Sequence, residues 1–137
     1  MGKTEIRILD LPLKAKWYLM QESGEKPEEY REITPYWCNR LLGGCPFGIK
    51  DFWEPVLKRT FEAIKENGER FPQSCNLHHL LVWQYGVRGY THVRLRYGYT
   101  KRTFTHKIYS ITIGFGKPEW GAPKDKEVFI IKHHKEE

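Results

Sequence analysis

The sequence predicts an α+β fold, a small β-barrel with flanking helices, and three observations carry that prediction. Helix-period apolar spacing and helix caps are confined to the first half of the chain and end near Asn67-Gly68. Beyond Phe71-Pro72 the spacing changes to the two-residue alternation of strands. Gly86, Gly89, Gly98, Gly114, Gly116 and Gly121-Ala122-Pro123 then cut this second part into short runs. Helices first and an antiparallel set of strands later make α+β the class, with the strands curled toward a barrel. At 137 residues the chain is expected to form one domain over 1–137, with a core that needs neither metal nor disulfide staples.

Taken in order, Glu5 to Leu11 alternates as a strand with Ile6 and Ile8 on one face, and Pro12 should end it. Leu13, Trp17 and Met20 recur at helical spacing, and Ser23-Gly24 supplies the stop. Pro27 disfavours a helical Lys26, so the chain should re-extend through Tyr30-Arg31-Glu32-Ile33. In an unbroken strand Glu29, Arg31 and Ile33 would share one face and Lys26 would lie on the other, unless a turn or bulge at Pro27 intervenes. Thr34-Pro35 is a helix start and Gly43-Gly44 its end, with CPFGIK as the loop that follows. A longer helix opens between Asp51 and Pro55, with Trp53, Val56, Leu57, Thr60, Phe61 and Ile64 on one stripe. The runs Leu80–Tyr85, Thr91–Tyr97, Thr103–Ile113 and Val128–Lys132 read as strands.

The net charge of +6 is unevenly placed: from Arg70 to Lys117 there are eight basic residues and no Asp or Glu. The rest of the chain holds slightly more acidic than basic residues, so the whole excess lies in that block. A one-signed block favours a polyanion, since Lys and Arg release counterions from phosphates. In the strand Thr91–Tyr97, His92, Arg94 and Arg96 face one way, preceded by Arg88 and followed by Lys101-Arg102. With Tyr90 and Tyr99 interleaved, this is a candidate basic ridge for nucleic acid, although plain solvation produces the same pattern. The three cysteines, the lack of a signal-peptide pattern and the lack of a long apolar run point to a cytoplasmic protein outside the membrane. Cys38, Cys45, Cys75, His78 and His79 lack metal-ligand spacing, so no metal or cofactor is expected.

Within SGEKPEEYREI, Gly24, Lys26, Glu29 and Arg31 form the pattern G-x-K-x-x-E-x-R, preceded by LDLPLKAKWYLM and followed by TPYW. With GKPEWGAPKDKEVFIIK near the end, the chain resembles the ASCH domain, a branch of the PUA-like β-barrel superfamily associated with RNA. The resemblance implies a PUA-like barrel and RNA, or a modified nucleotide, as ligand. Lys26 and Arg31 would contact phosphate, Glu29 would accept a base-edge or ribose hydrogen bond, and Tyr30 or Trp37 would stack. Arg88, Arg94, Arg96, Lys101 and Arg102 would add the electrostatic part. The alternative is an enzyme, a ribonuclease or an amidohydrolase of modified nucleosides, with Lys26, Glu29 and Arg31 as catalytic residues. ASCH amidohydrolases that act on N4-acetylcytidine place a Thr nucleophile three residues after the Lys. Here that position is Glu29, and a carboxylate does not replace an activated hydroxyl in acyl transfer. A third reading is a protein-interaction module with Trp and Tyr hot spots.

Overall fold

The computed structural model describes residues 5–43, 51–67 and 78–136. Its elements are β1 (Ile8–Leu13), α1 (Ala15–Glu22), β2 (Glu28–Arg31), α2 (Pro35–Leu41), α3 (Trp53–Asn67), a π-helical segment (His78–Trp83), β3 (His92–Tyr97), β4 (Thr103–Gly114), a 3-10 turn (Pro118–Trp120) and β5 (Val128–His134). The class is α+β, as expected. The sheet has five strands in the order β1-β3-β4-β5-β2. It is mixed, not antiparallel throughout: β1 runs parallel to β3 with Leu9 opposite Val93 and Leu11 opposite Leu95, and β3 runs antiparallel to β4. Among the described residues no helix is long and apolar enough to cross a membrane.

The first strand corrects the expectation in both extent and parity. It runs through Pro12 to Leu13, and its buried face is Leu9, Leu11 and Leu13, whereas Ile6 and Ile8 are 66% and 39% exposed. Pro12 is tolerated because β1 is an edge strand, where a residue facing away from the partner needs no N–H. With Leu13 spent on the strand, α1 turns Tyr18 and Gln21 inward, and Trp17 is only half-buried. Gly24 (φ 87°) takes the left-handed conformation that ends the turn after α1 at little steric cost. The expected strand Leu80–Tyr85 is instead the π-helical segment; a short apolar run reads equally as strand or buried helix, and tertiary context decides. α2 has the predicted cap: Thr34 Oγ1 accepts from the Trp37 N–H at 3.3 Å, with Pro35 in the first turn. On α3, Trp53, Val56 and Leu57 are buried, while Phe61 at the far end of the predicted stripe is exposed.

The chain groups into two compact units. One comprises Met1–Glu29, Gly89–Ile111 and Ile131–Glu137, the other Tyr30–Arg88 and Thr112–Ile130. In the first, Leu9, Leu11, Val93, Leu95 and Ile131 form the core with Tyr18, whose ring meets Tyr97 and Phe104 edge-on at centroid distances of 5.2 and 4.9 Å. In the second, Leu41, Leu42, Val56, Leu57, Leu81 and Phe129 are buried, and Trp53 packs edge-on against Tyr85 at 4.9 Å.

Candidate functional site

Lys26 precedes β2 and does not belong to it. Its N–H donates to the Met20 carbonyl at 3.0 Å, and the His133 N–H donates to the Pro27 carbonyl at 3.0 Å, so the chain turns at Lys26-Pro27 before extending. The parity conflict between Lys26 and Glu29 disappears with that turn. Lys26 Nζ lies 3.6 Å from Glu29 Oε1, and both residues are 3% exposed. The Lys26 ammonium also sits 4.4 Å from the Trp17 ring centroid, where the aromatic face replaces part of its lost hydration.

Three residues without a sequence-assigned role extend this pair into a buried chain. Gln21 Nε2 donates to Glu29 Oε1 at 3.1 Å, and Gln21 Oε1 lies 2.7 Å from His133 Nε2. His133 Nδ1 lies 2.9 Å from His106 Nδ1. The donor pattern fixes the protons. The Gln21 amide must point its NH2 at the carboxylate, which leaves its oxygen to accept, so His133 carries its proton on Nε2. His133 Nδ1 is then an acceptor, and His106 donates to it from Nδ1. This assignment takes His133 as neutral, the form that its burial favours. Burial pushes the His133 pKa down to about 3, helped by His106 and by the Lys26 charge. Burial also lowers that of His106, with His134 and Lys135 adding to the effect. The periodicity of β5 was the available signal: Phe129, Ile131 and His133 alternate inward, and the third is a histidine only 2% exposed.

Arg31 belongs to the other unit, where it meets Trp37. Its guanidinium carbon is 4.9 Å from the Trp37 ring centroid, and that of Arg40 is 5.2 Å from the same ring. Arg40 also reaches Tyr36, its Nη1 donating to the phenol oxygen at 3.4 Å. The cap at Thr34 and the proline at position 35 start α2, and so set where Tyr36, Trp37 and Arg40 fall relative to one another. Tyr30 is fixed differently: the Lys117 N–H donates to its oxygen at 3.0 Å, and Gly116 leaves its ring room. A Cβ at position 116 would stand 2.8 Å from Tyr30 Cε1 and 2.7 Å from the Ala122 Cβ. Beside this ring opens a cleft of about 250 Å³ lined by Tyr30, Arg31, Glu32, Gly121, Pro123, Lys126 and Val128. At its mouth the exposed Lys126 donates to Glu32 at 2.6 Å.

The basic ridge is less positive in space than along the chain. His92, Arg94 and Arg96 do lie on the face opposite Val93 and Leu95. However, Arg94 forks onto Asp10 through Nε and Nη2, both bonds 2.7 Å long, and Arg96 comes within 3.8 Å of the same carboxylate. Arg102 pairs with Glu22 at 2.8 Å, and His92 with Glu136 at 3.3 Å. Arg88 donates to the Asn39 carbonyl at 2.8 Å. Lys101 and Tyr99 are exposed at the turn between β3 and β4.

Among the described residues no cluster of metal-ligating side chains occurs. Cys38 is buried and its thiol is pushed up to about 12, so it is a packed apolar group and not a nucleophile. Cys45, Cys75 and the CPFGIK loop lie outside the described residues. No family model, curated protein or solved structure matches this chain.

Proposed function

We propose that the protein binds single-stranded RNA, or a modified nucleotide, in the manner the ASCH and PUA-like resemblance implies. The observation that carries this reading is the ring of Trp37 with two guanidiniums near it, Arg31 at 4.9 Å and Arg40 at 5.2 Å, the first of which also lines the cleft walled by Tyr30. A half-buried indole with cations against it is suited to stack a base while the guanidiniums draw in phosphate. In the other unit, the β3–β4 turn carries an exposed cation, Lys101, and an exposed ring, Tyr99. Lys26 and Glu29 support the reading indirectly: their buried pair fixes the turn into β2, the strand from which Tyr30 and Arg31 are presented.

The test is fluorescence anisotropy with short labelled RNAs. Trp37→Ala should weaken binding by about 5- to 150-fold, the range of one base–aromatic stack. Arg40→Ala should weaken it and lower the salt dependence by about one counterion. Unchanged affinity in both variants refutes the reading. The alternative, a ribonuclease or an amidohydrolase using Lys26, Glu29 and Arg31, is separated by mass spectrometry of the RNA and of acylated nucleosides after long incubation. Shortened strands or a lost acyl group favour the enzyme, and unchanged masses favour the binder.

A further inference from the structure

The cleft next to the Trp37 stack has features that a generic RNA surface does not need. It is small, about 250 Å³, below the range of about 300–1,000 Å³ typical of pockets for drug-sized ligands, so it suits a single base, with the phosphate toward the exposed Lys126, and not a length of chain. Its walls divide by chemistry. Tyr30, Pro123 and Val128 supply apolar surface, Arg31 and Lys126 supply cations, and Glu32 supplies one carboxylate. The Tyr30 wall is preset by the Lys117 N–H and by the absence of a side chain at Gly116, so it need not be ordered on binding. Lys126 and Glu32 answer each other at 2.6 Å with more than half of each side chain exposed. Such a pair contributes little to stability and opens at little cost.

We infer that this cleft is a mononucleotide site, selective for a base whose edge donates hydrogen bonds. The inference rests on the RNA-binding reading and deepens it. A flat ring enters against Tyr30 and Pro123. The phosphate takes Arg31 and Lys126, and the Glu32 carboxylate, released by Lys126, accepts from the base. Guanine offers an N–H and an NH2 side by side to a carboxylate, and cytosine offers its NH2. Uracil presents one N–H between two carbonyl oxygens that repel the carboxylate, so it is rejected. The charge is of the right sign, because two cations and one carboxylate among the lining residues leave one net positive charge to set against the phosphate.

The experiment is calorimetric titration of the full chain with GMP, CMP, UMP, guanosine and inorganic phosphate, repeated with Glu32→Gln and Lys126→Met. Both residues are exposed, so the variants retain the fold. GMP or CMP should bind at least about tenfold tighter than UMP. Glu32→Gln should erase that preference, and Lys126→Met should bring the nucleotide down toward guanosine. Equal binding of all three nucleotides, a preference that survives Glu32→Gln, or binding by phosphate alone as tight as by GMP overturns the mononucleotide site. RNA anisotropy run in parallel keeps the two readings apart. RNA binding that depends on Trp37 without mononucleotide binding overturns this inference only, and loss of both overturns the RNA reading as well.

Discussion

Replacing His133 with Gln should flatten the dependence of stability on pH between about pH 7 and about pH 5. In the native fold His133 is neutral, its pKa held near 3 by burial. In the unfolded chain the same imidazole titrates near ~6.5. As pH falls below that value the unfolded state takes up a proton that the folded state refuses. Stability present above ~6.5 is therefore lost progressively as pH falls toward about 3. From about pH 7 to about pH 5 the unfolded histidine goes from about one-quarter to almost fully protonated, which amounts to about 2 kcal/mol for this residue. Across the whole window the loss reaches roughly 3–5 kcal/mol. His106, its pKa also lowered by burial, shifts stability in the same direction.

Glutamine retains an amide that can donate to Gln21 and accept from His106, so the variant isolates the titration from the hydrogen bonds. Urea unfolding at about pH 7, 6 and 5 gives the two stability profiles, provided the slopes with denaturant agree. The native profile should fall more steeply than that of His133→Gln by about 2 kcal/mol over that range. Parallel profiles would mean that His133 gains its proton in the folded state, and the tautomer chain from His106 to Glu29 would be wrong.

Three further outcomes follow from the geometry. Lys26→Ala leaves the Glu29 carboxylate buried beside Gln21 without its ammonium, and should cost about 3–5 kcal/mol in urea unfolding. Lys26→Met with Glu29→Leu should cost less than the sum of the single changes. Gly116→Val drives carbon into Tyr30 and Ala122, where a Cβ already stands at 2.8 and 2.7 Å, and should cost about 1–3 kcal/mol while loosening any ligand held in the Tyr30 cleft. Arg94→Ala should leave the salt dependence of RNA binding nearly unchanged because Asp10 already holds the guanidinium, whereas Lys101→Ala should lower it by about one counterion.

Local signals with a single physical reading were legible in the sequence. The Thr34-Pro35 cap, the α3 stripe as far as Leu57 and the Val93/Leu95 alternation each depend on near neighbours, and each is present. Edge position was not legible. Nothing in LDLPL states that β1 borders the sheet and can therefore carry Pro12, so neither its extent to Leu13 nor its inward face follows from the local pattern. Charge in space was not legible either. The block from Arg70 to Lys117 has no acid of its own, but Asp10, Glu22 and Glu136 are brought to Arg94, Arg102 and His92 from distant parts of the chain. His133 is not legible as a core residue, because a histidine among lysines reads as solvated and only the register of β5 turns it inward.

The G-x-K-x-x-E-x-R motif divides into two physical roles. Lys26 and Glu29 are each 3% exposed, and the Gln21–His133–His106 chain continues their polar contacts. A buried pair of this kind gains little net energy over an apolar replacement, but it penalises every register in which one partner is lost. Its effect is to specify one conformation at the entry to β2. The residues that follow, Tyr30 and Arg31, are half-buried, and both line the cleft. Substitutions in the first half of the motif should therefore appear as lost stability with ligand preference intact, and those in the second half as altered preference with stability largely intact. A motif acting as one catalytic triad would not separate in that way, because removing any of its members would abolish the same activity.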